Sequence, residues 1–241
     1  MTKALDHGYV KLVTSWGSDE SIIEAARMST NAGFKGWGPI HESPEVCRLH
    51  PQYCRCPPKA GDEKLLKYLW TNKHHTPFEM AGLTVEAYAP IFVIREWFRH
   101  RSFSYNEMSG RYTILPNDYY IPTPERIQKQ AKANKQGSGE QFTDAEAKRL
   151  QGQIRATVQG CRTAYELLLD QGVSREIARL VLPVNQYSRF RASGNLRNWL
   201  HFLELRLNKA AQLEIRVYAD AIATEIQKRF PRTYTLFAES Q

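Results

Sequence analysis

The stretch Arg95–Tyr112, R-E-W-F-R-H-R-S-F-S-Y-N-E-M-S-G-R-Y, mixes four arginines with aromatic side chains in a way that suits neither a core nor a surface. The apolar residues that follow Pro90 predict a helix through its first half, and its second half is predicted to be an ordered loop. Buried arginines need partners, because an unpaired buried charge is very costly. Glu96 and Glu107 cannot balance all of this charge, so the stretch predicts an anionic ligand, and the planar guanidinium suits phosphate. The alternative is a salt-bridged surface helix and loop.

This stretch resembles the signature of the flavin-dependent thymidylate synthases. Arg99-His100-Arg101 is followed after seven residues by Ser109, and the wider pattern R-H-R-x-x-S-x-N-E-x-S-x-R-Y is met in full. Its remaining members are Ser104, Asn106, Glu107, Arg111 and Tyr112. The resemblance extends over nearly the whole chain and includes the block R-E-I-A-R-L-V-L-P that begins at Arg175. It is weak in a cysteine-containing insertion at about 31–64 and in a polar excursion at about 126–142.

The mixture of helices and antiparallel-looking strands predicts an α+β fold. Strong local signals predict helices that begin near Ser18 and Thr143, a helix opened by Asn195, and a last helix from Gln212 to Phe230. The sequence contains no Walker-type loop and no G-x-G-x-x-G, so a conventional dinucleotide fold is unsupported. The resemblance implies helices packed on a twisted, mainly antiparallel sheet in a single compact domain over 1–241.

Composition indicates a soluble globular protein, with 42% apolar and 24% charged residues. The sequence has no signal-peptide pattern at its start and no apolar run long enough to span a membrane, so we expect a cytoplasmic protein with no membrane partner. A net charge of +8 suits nucleic acid, small phosphorylated molecules or simply a solvated basic surface. The arginines fall in discrete blocks rather than in a continuous basic stripe, and we therefore expect no nucleic-acid partner.

The resemblance implies conversion of dUMP to dTMP, with methylenetetrahydrofolate as carbon donor and FAD carrying a hydride from NADPH. It also implies a homotetramer with shared active sites. The residues agree in one respect, because no cysteine stands convincingly beside the arginines to act as a nucleophile on the pyrimidine. Cys161 lies on the apolar stripe of a predicted helix. Arginines that polarise the ring, together with a flavin hydride, fit the sequence better.

Site residues follow from the resemblance position by position. Flavin contacts are implied for Thr76, Arg99, His100, Arg101, Glu107, Asn195, Leu196, Arg197 and His201. Contacts with dUMP are implied for Glu96, Trp97, Phe98, Arg99, Glu107, Met108, Ser109, Gly110, Arg111, Arg179 and Arg206. Arg206 matches the catalytic arginine that stabilises the deprotonated pyrimidine. Glu96 stands where some relatives have Gln, and His201 stands where the family varies between Asn and His.

Three smaller features leave alternatives open. Ser109 resembles a catalytic nucleophile, but a serine needs an activating base, and we favour a role as nucleotide ligand. The pair His74-His75 suits a structural turn as well as a functional site. The pattern C-x-x-H-x-x-x-C-x-C could ligate zinc, but its irregular spacing favours a reduced loop, so we expect no metal. Its members are Cys47, His50, Cys54 and Cys56.

Overall fold

The computed structural model describes residues 1–38, 61–132 and 137–241. The chain divides into two compact units. The first unit comprises Met1–Val13, Thr84–Ser193 and Leu205–Ile222, and the second comprises Thr14–Leu83, Gly194–Glu204 and Ala223–Gln241. The single-domain organisation stays a prediction. The proposed zinc ligands, Cys47, His50, Cys54 and Cys56, lie outside the described residues.

The predicted α+β class with an antiparallel sheet is confirmed. The strands are β1 Thr2–Ala4, β2 Gly8–Trp16, β3 Gly82–Pro90, β4 Ser104–Glu107, β5 Gln128–Gln130, β6 Ser138–Gln141 and β7 Tyr187–Asn195. Five of them form one sheet in the order β1-β2-β3-β7-β4, and the pairs β1–β2 and β4–β7 are antiparallel. Strands β5 and β6 form a separate antiparallel pair.

Along the chain, eight α-helices of the described residues alternate irregularly with these strands. They are α1 Asp19–Arg27, α2 Asp62–Thr71, α3 Ile91–Trp97, α4 Asp144–Asp170, α5 Arg175–Ala178, α6 Leu196–Arg206, α7 Leu213–Arg229 and α8 Pro231–Glu239. Short 3₁₀ turns occur at Met28–Thr30, Thr76–Met80, Pro124–Arg126 and Arg179–Val181. Ser18 and Thr143 each form a capping box at the start of α1 and α4, in agreement with the helix starts predicted near these residues. Within the described ranges, no helix is both long and apolar enough to cross a membrane.

The structure differs from the sequence predictions in three places. Ser104–Glu107 was predicted to be loop but is the edge strand β4, because it pairs with β7 far along the chain. The polar excursion contains the exposed hairpin of β5 and β6. The helix predicted as the last one is followed by α8, which begins at Pro231, a residue well suited to the first turn of a helix.

The core of the first unit forms around Trp97. This side chain is fully buried and meets Phe190 edge to face, with 4.9 Å between ring centroids, and Tyr218 at 6.2 Å. Aromatic pairs at these distances add to the free energy gained by burying their surface. Helix α3 is thereby held against β7 and α7, which fixes the end of α3 where the arginine signature begins.

The second unit joins its first and last helices through Asp19. The carboxylate of Asp19 is buried and accepts hydrogen bonds from the backbone N–H of Arg232 at 2.9 Å and of Thr233 at 3.1 Å. It also accepts one from Thr233 Oγ1 at 2.6 Å. A residue of α1 therefore satisfies N–H groups in the first turn of α8, which otherwise have no partner inside that helix.

Candidate active site

The start of the site is the frame that joins the end of α3 to β4. The helix ends at Trp97, and the N–H of His100 donates to the carbonyl of Trp97 at 2.9 Å. The hydroxyl of Tyr105, in β4, lies 2.9 Å from the carbonyl oxygens of both Trp97 and His100, so its single proton is shared between them. These bonds fix the backbone of the Arg99-His100-Arg101 turn, so the signature side chains project from a rigid support.

Arg206, the last residue of α6, lies against this turn. Its Nε donates to Nε2 of His100 at 3.0 Å, and its Nη1 donates to Oε2 of Glu96 at 3.3 Å. Its Nη2 donates to the backbone carbonyl of Glu96 at 3.1 Å. The structure therefore brings together three of the predicted site residues from two distant parts of the sequence.

Neighbouring charges in the first unit affect the pKa values of Glu96 and Glu214. Burial raises the pKa of Glu96 above its ordinary value; the positive charge of Arg206 opposes this rise and the negative charge of Glu214 adds to it. Burial also pushes the pKa of Glu214 upwards, but the hydrogen bonds from Arg126 and Gln212 and the positive charge of Arg126 together outweigh that effect, and the pKa lies below its usual range. Tyr120 donates a further hydrogen bond to Glu214 at 3.0 Å. Glu214 is therefore an ionised carboxylate that is neutralised by Arg126.

The predicted nucleotide loop Ser109–Arg111 packs against the side chain of Arg179. The hydroxyl of Ser109 accepts a hydrogen bond from the N–H of Arg111 at 3.2 Å, which closes the turn. A β-carbon on the buried Gly110 would come within 2.9 Å of Leu115 Cδ1 and 3.2 Å of Arg179 Cδ. Glycine therefore allows the loop to approach Arg179 closely, and the structure brings these predicted ligands together.

Three arginines of the first unit, Arg99, Arg101 and Arg179, have exposed side chains with no hydrogen bond or ion pair to any residue in the described part of the chain. Arg111 is exposed as well and pairs at 3.4 Å with Glu176, a carboxylate that is itself half exposed. Such exposed ion pairs contribute little to stability, so an anionic ligand could displace Glu176 at small cost. The unpartnered cations agree with the predicted anionic ligand.

Several predicted contacts are available only through the backbone. The side chains of Trp97 and Leu196 are fully buried, so a ligand could reach only their backbone groups. The N–H of Leu196 already donates to the carbonyl of Ala81 at 2.7 Å, and that of Met108 donates to Arg189 at 2.8 Å. Two other predicted residues have accessible side chains, because Glu107 is exposed on β4 and Phe98 is half buried against the ring of Tyr105.

Two of the predicted flavin residues of the second unit, Arg197 and His201, line a groove of about 520 Å³. Asn195 caps α6, since its Oδ1 accepts the N–H of Asn198 at 2.9 Å, and this cap directs Arg197 and His201 to the groove wall. The groove is also lined by Trp70, Thr71, Lys73, His75, Leu200, Glu204, Phe237, Ser240 and Gln241. The groove combines the positive charges of Lys73 and Arg197 with the aromatic side chains of Trp70 and Phe237. This combination suits a ligand that carries both a phosphate group and an aromatic ring.

Thr76 lies beside a second groove of about 740 Å³ in the same unit, which also reaches His74, His75 and Lys73. Burial lowers the pKa of His75, and the positive charges of Arg197 and Lys73 lower it further. His75 is therefore favoured in its neutral form beside two cations. Among the described residues, no cluster of His, Cys, Asp and Glu side chains is suited to hold a metal ion.

Sequence reasoning missed two parts of these sites. The ion pair of Arg126 and Glu214 joins residues that are 88 positions apart. The only sequence signal for it is the opposite charge of the two side chains, one just before β5 and the other in the first turn of α7. Phe237 lines the groove from α8, a helix that was not predicted. The sequence signal that would have indicated α8 is Pro231, which opens a helix readily.

Taken together, these features define an α+β protein with an arginine-rich candidate site at the edge of its sheet. Residues 11–232 match the family described as thymidylate synthase complementing protein. The chain is 43% identical to the flavin-dependent thymidylate synthase of Thermus thermophilus over 235 residues, which covers 98% of this chain and 77% of that one. It is 40% identical to the enzyme of the same name from Wolbachia pipientis wMel over 237 residues, covering 98% and 76%. The chain belongs to the flavin-dependent thymidylate synthase family.

A solved structure supports the same placement. The crystal structure of the UMP/dUMP methylase PolB from Streptomyces cacaoi, bound with 5-Br dUMP, matches with a TM-score of 0.78 and 29% identity. The match covers 99% of this chain and 97% of that one. A second structure of PolB, bound with 5-Br UMP, matches with a TM-score of 0.79 and 30% identity.

Proposed function

We propose that the protein catalyses the reductive methylation of dUMP to dTMP, with methylenetetrahydrofolate as the carbon donor and NADPH as the reductant of a bound FAD. The observation that carries this proposal is the arginine signature itself. It stands on a rigid frame, it contacts Arg206, and it leaves Arg99 and Arg101 exposed without partners among the described residues. Membership of the family supplies the reaction.

The residues of each unit suit a flavin ligand in charge. In the first unit, the proposed flavin contacts are Arg99, His100, Arg101 and Glu107. In the second unit, considered by itself, they are Thr76, Asn195, Leu196, Arg197 and His201, with Leu196 acting through its backbone. Arginines suit the pyrophosphate of FAD, and the groove beside Arg197 offers the rings of Trp70 and Phe237 to a stacked ring. When bound, FAD supplies hydride chemistry that side chains lack.

The nucleotide would lie along the loop that packs on Arg179. Arg111 and Arg179 would bind the 5′-phosphate by charge-assisted hydrogen bonds. Ser109 acts as a ligand in this proposal, because no hydrogen bond joins it to Glu107 or to another base in the described chain, and its hydroxyl already closes the turn. Glu96, Trp97, Phe98, Met108 and Gly110 complete the proposed nucleotide site, Trp97 through its backbone.

Arg206 is the proposed catalytic residue. A guanidinium held in a fixed orientation stabilises negative charge that develops on the pyrimidine, without reorganisation during the reaction. No cysteine nucleophile is required for this role. Cys161, the one cysteine in the described part of the chain, is a half-buried residue of α4.

The proposed assembly is a cytoplasmic homotetramer with shared active sites. Ile177, Leu180 and Val181 surround Arg179 in sequence and are 51%, 73% and 36% exposed in the single chain. Contiguous exposed apolar side chains beside site residues favour a subunit interface there. An interface at this place would bring a neighbouring chain up to the nucleotide site.

The experiment that tests the function is a stepwise assay of the purified protein. The protein should be yellow, NADPH should bleach the flavin under anaerobic conditions, and addition of dUMP with methylenetetrahydrofolate should yield dTMP. NADH in place of NADPH tests the choice of reductant. A colourless protein that binds single-stranded DNA with a steep salt dependence would contradict the proposal.

A further inference from the structure

The guanidinium of Arg206 is held at all three of its nitrogen atoms. Nε meets His100 Nε2, Nη1 meets the carboxylate of Glu96, and Nη2 meets the carbonyl of Glu96, at 3.0, 3.3 and 3.1 Å. A guanidinium has five N–H donors in one plane. Three donors are therefore committed to the protein, and one on each Nη stays available along the outer edge of the group.

The acceptors of these bonds stand on a frame that cannot move freely. Glu96 lies in the last turn of α3 and His100 in the turn that follows the helix, and both contact the guanidinium of Arg206. Between them, Trp97 is fully buried in the aromatic core. Tyr105 secures the backbone of Trp97 and His100 from β4. The orientation of Arg206 is consequently set by residues outside its own helix.

The ion pair of Arg206 and Glu96 is shielded from water. The side chains are 19% and 26% exposed, respectively. Attraction between opposite charges is stronger in such a site than at an open surface. The negative charge of Glu214, in α7, acts on Glu96 by raising its pKa, but Arg126 neutralises Glu214 at 2.8 Å. Glu96 is thus left to direct its negative charge towards Arg206.

We infer that Glu96 and His100 are positioning residues, which hold the guanidinium of Arg206 so that its two open N–H groups meet the pyrimidine. The inference deepens the proposed function and rests on it for the identity of the substrate. It gives Glu96 a role that the resemblance left open, since the amide of Gln, found there in some relatives, offers the same acceptor oxygen. His100 accepts from Arg206 and must therefore be neutral at Nε2 in this arrangement.

The first test compares Glu96→Ala with Glu96→Gln in the flavin-loaded enzyme. Loss of one charge-assisted hydrogen bond should lower kcat by roughly 10- to 150-fold in Glu96→Ala. Flavin reduction by NADPH, which needs no activated pyrimidine, should stay near the wild-type rate. Glu96→Gln should recover most of the lost turnover because it keeps an acceptor for Nη1. Glu140→Gln, which alters an exposed carboxylate of β6, is the matched control.

A second measurement does not depend on activity. Phenylglyoxal modification of Arg206, followed by peptide mass spectrometry, reports how firmly the guanidinium is held. The rate should rise in Glu96→Ala and in His100→Ala, return towards wild type in Glu96→Gln, and stay unchanged at the exposed Arg229 in every variant. A wild type that makes no dTMP would refute the proposed function, while this rate would still test whether the arginine is held.

Two outcomes would overturn the inference. If Glu96→Gln lost as much turnover as Glu96→Ala, the carboxylate would be acting on the substrate by its charge. If Glu96→Ala changed neither kcat nor the modification rate of Arg206, the contacts would have no positioning effect. In a double variant, Arg206→Ala should erase the effect of Glu96→Ala on kcat, since residues that act as one unit are not additive.

Discussion

Arg126 donates two hydrogen bonds to the carboxylate of Glu214, from Nε to Oε1 at 2.8 Å and from Nη2 to Oε2 at 3.2 Å. The side chain of Glu214 is only 3% exposed and that of Arg126 is 22% exposed. A two-point pair of this kind fixes the planar arginine fork in one orientation. It ties the start of the polar hairpin to the first turn of α7.

Arg126→Met should destabilise the first unit by about 3–5 kcal/mol at neutral pH, because it leaves a buried carboxylate unpaired while keeping the apolar stem. In the variant, burial alone would raise the pKa of Glu214 above that of the unfolded chain. The folded variant would then bind a proton more tightly, so its deficit should shrink as the pH falls towards 5. Urea unfolding at both pH values measures this difference.

Two comparisons make that result specific. Lys129→Met removes one side of an exposed pair with Glu140 in the same hairpin and should change stability by less than about 1 kcal/mol. In the wild type, the pKa of Glu214 is lowered, so its pair stabilises the fold above that pKa and loses this effect on further acidification. An equal deficit for Arg126→Met at both pH values would argue against an ionised Glu214.

Arg206→Ala should fold normally, retain flavin and lose methyl transfer. Removing a preorganised charge of this kind costs about 10²–10³ in kcat. Reduction of the flavin by NADPH needs no activated pyrimidine and should survive. Arg206→Lys should rescue only part of the loss, since an ammonium group cannot reproduce the planar fork that meets Glu96 and His100.

The matched control for this prediction is Arg229→Ala, which removes an exposed arginine from the end of α7. An arginine that only offsets the negative end of a helix dipole is worth about 0.3–1 kcal/mol, and its loss would leave turnover nearly normal. Normal dTMP formation by Arg206→Ala would therefore reduce Arg206 to such a role. Anaerobic stopped-flow reduction and a dTMP assay separate the two half-reactions.

Arg101→Ala and His100→Ala should purify with little flavin while remaining folded. Each loses a contact worth about 1.5–3 kcal/mol, which corresponds to a roughly 10- to 150-fold weaker Kd. The flavin-to-protein absorbance ratio measures occupancy, and circular dichroism checks folding. Arg95→Ala changes another exposed arginine, in the last turn of α3, and should keep its flavin. Full occupancy in both signature variants would refute the assignment.

A mixture of inactive Arg111→Ala and inactive Arg206→Ala subunits should regain part of the activity. The prediction follows from the proposed shared sites, in which one chain can supply the intact nucleotide loop and another the intact Arg206. Light scattering should give a tetramer, and activity should appear only after the two variants are dissociated and reassembled together. A fully active monomer would contradict both expectations.

Replacement of every cysteine should leave turnover close to that of the wild type. The proposed mechanism activates the pyrimidine through Arg206, so a thiol nucleophile is not needed. The variant carries Cys47→Ser, Cys54→Ser, Cys56→Ser and Cys161→Ala. A collapse of activity that Cys161→Ala alone reproduces would point to a thiol in the mechanism. Loss of folding together with stoichiometric zinc in the wild type would point to a structural metal.

Local signals explain which parts of the fold the sequence could predict. The capping boxes at Ser18 and Thr143 and the Asn195 cap each act within three residues, so they can be identified in the sequence. Strand β4 is different, because its polar residues become a strand only by pairing with β7. No local pattern in Ser104–Glu107 encodes that pairing.

The candidate site divides in the same way. The arginine signature could be identified because its spacing is fixed within one short segment. The contact of Arg206 with His100 spans 106 residues, and only the folded chain establishes it. The burial of Trp97, which restricts a ligand to its backbone, likewise depends on Phe190 and Tyr218 from distant elements.

The bonds from Asp19 to the start of α8 also set an order of events during synthesis. Asp19 and Thr233 are 214 residues apart, and nothing can satisfy that pair until the ribosome has released Thr233. At a synthesis rate of roughly 5–20 residues per second, α8 becomes available about 10–40 s after α1 has been synthesised. The second unit therefore cannot finish folding cotranslationally from its N-terminal part alone. Until then, the carboxylate of Asp19 lacks the N–H partners that α8 supplies in the folded protein.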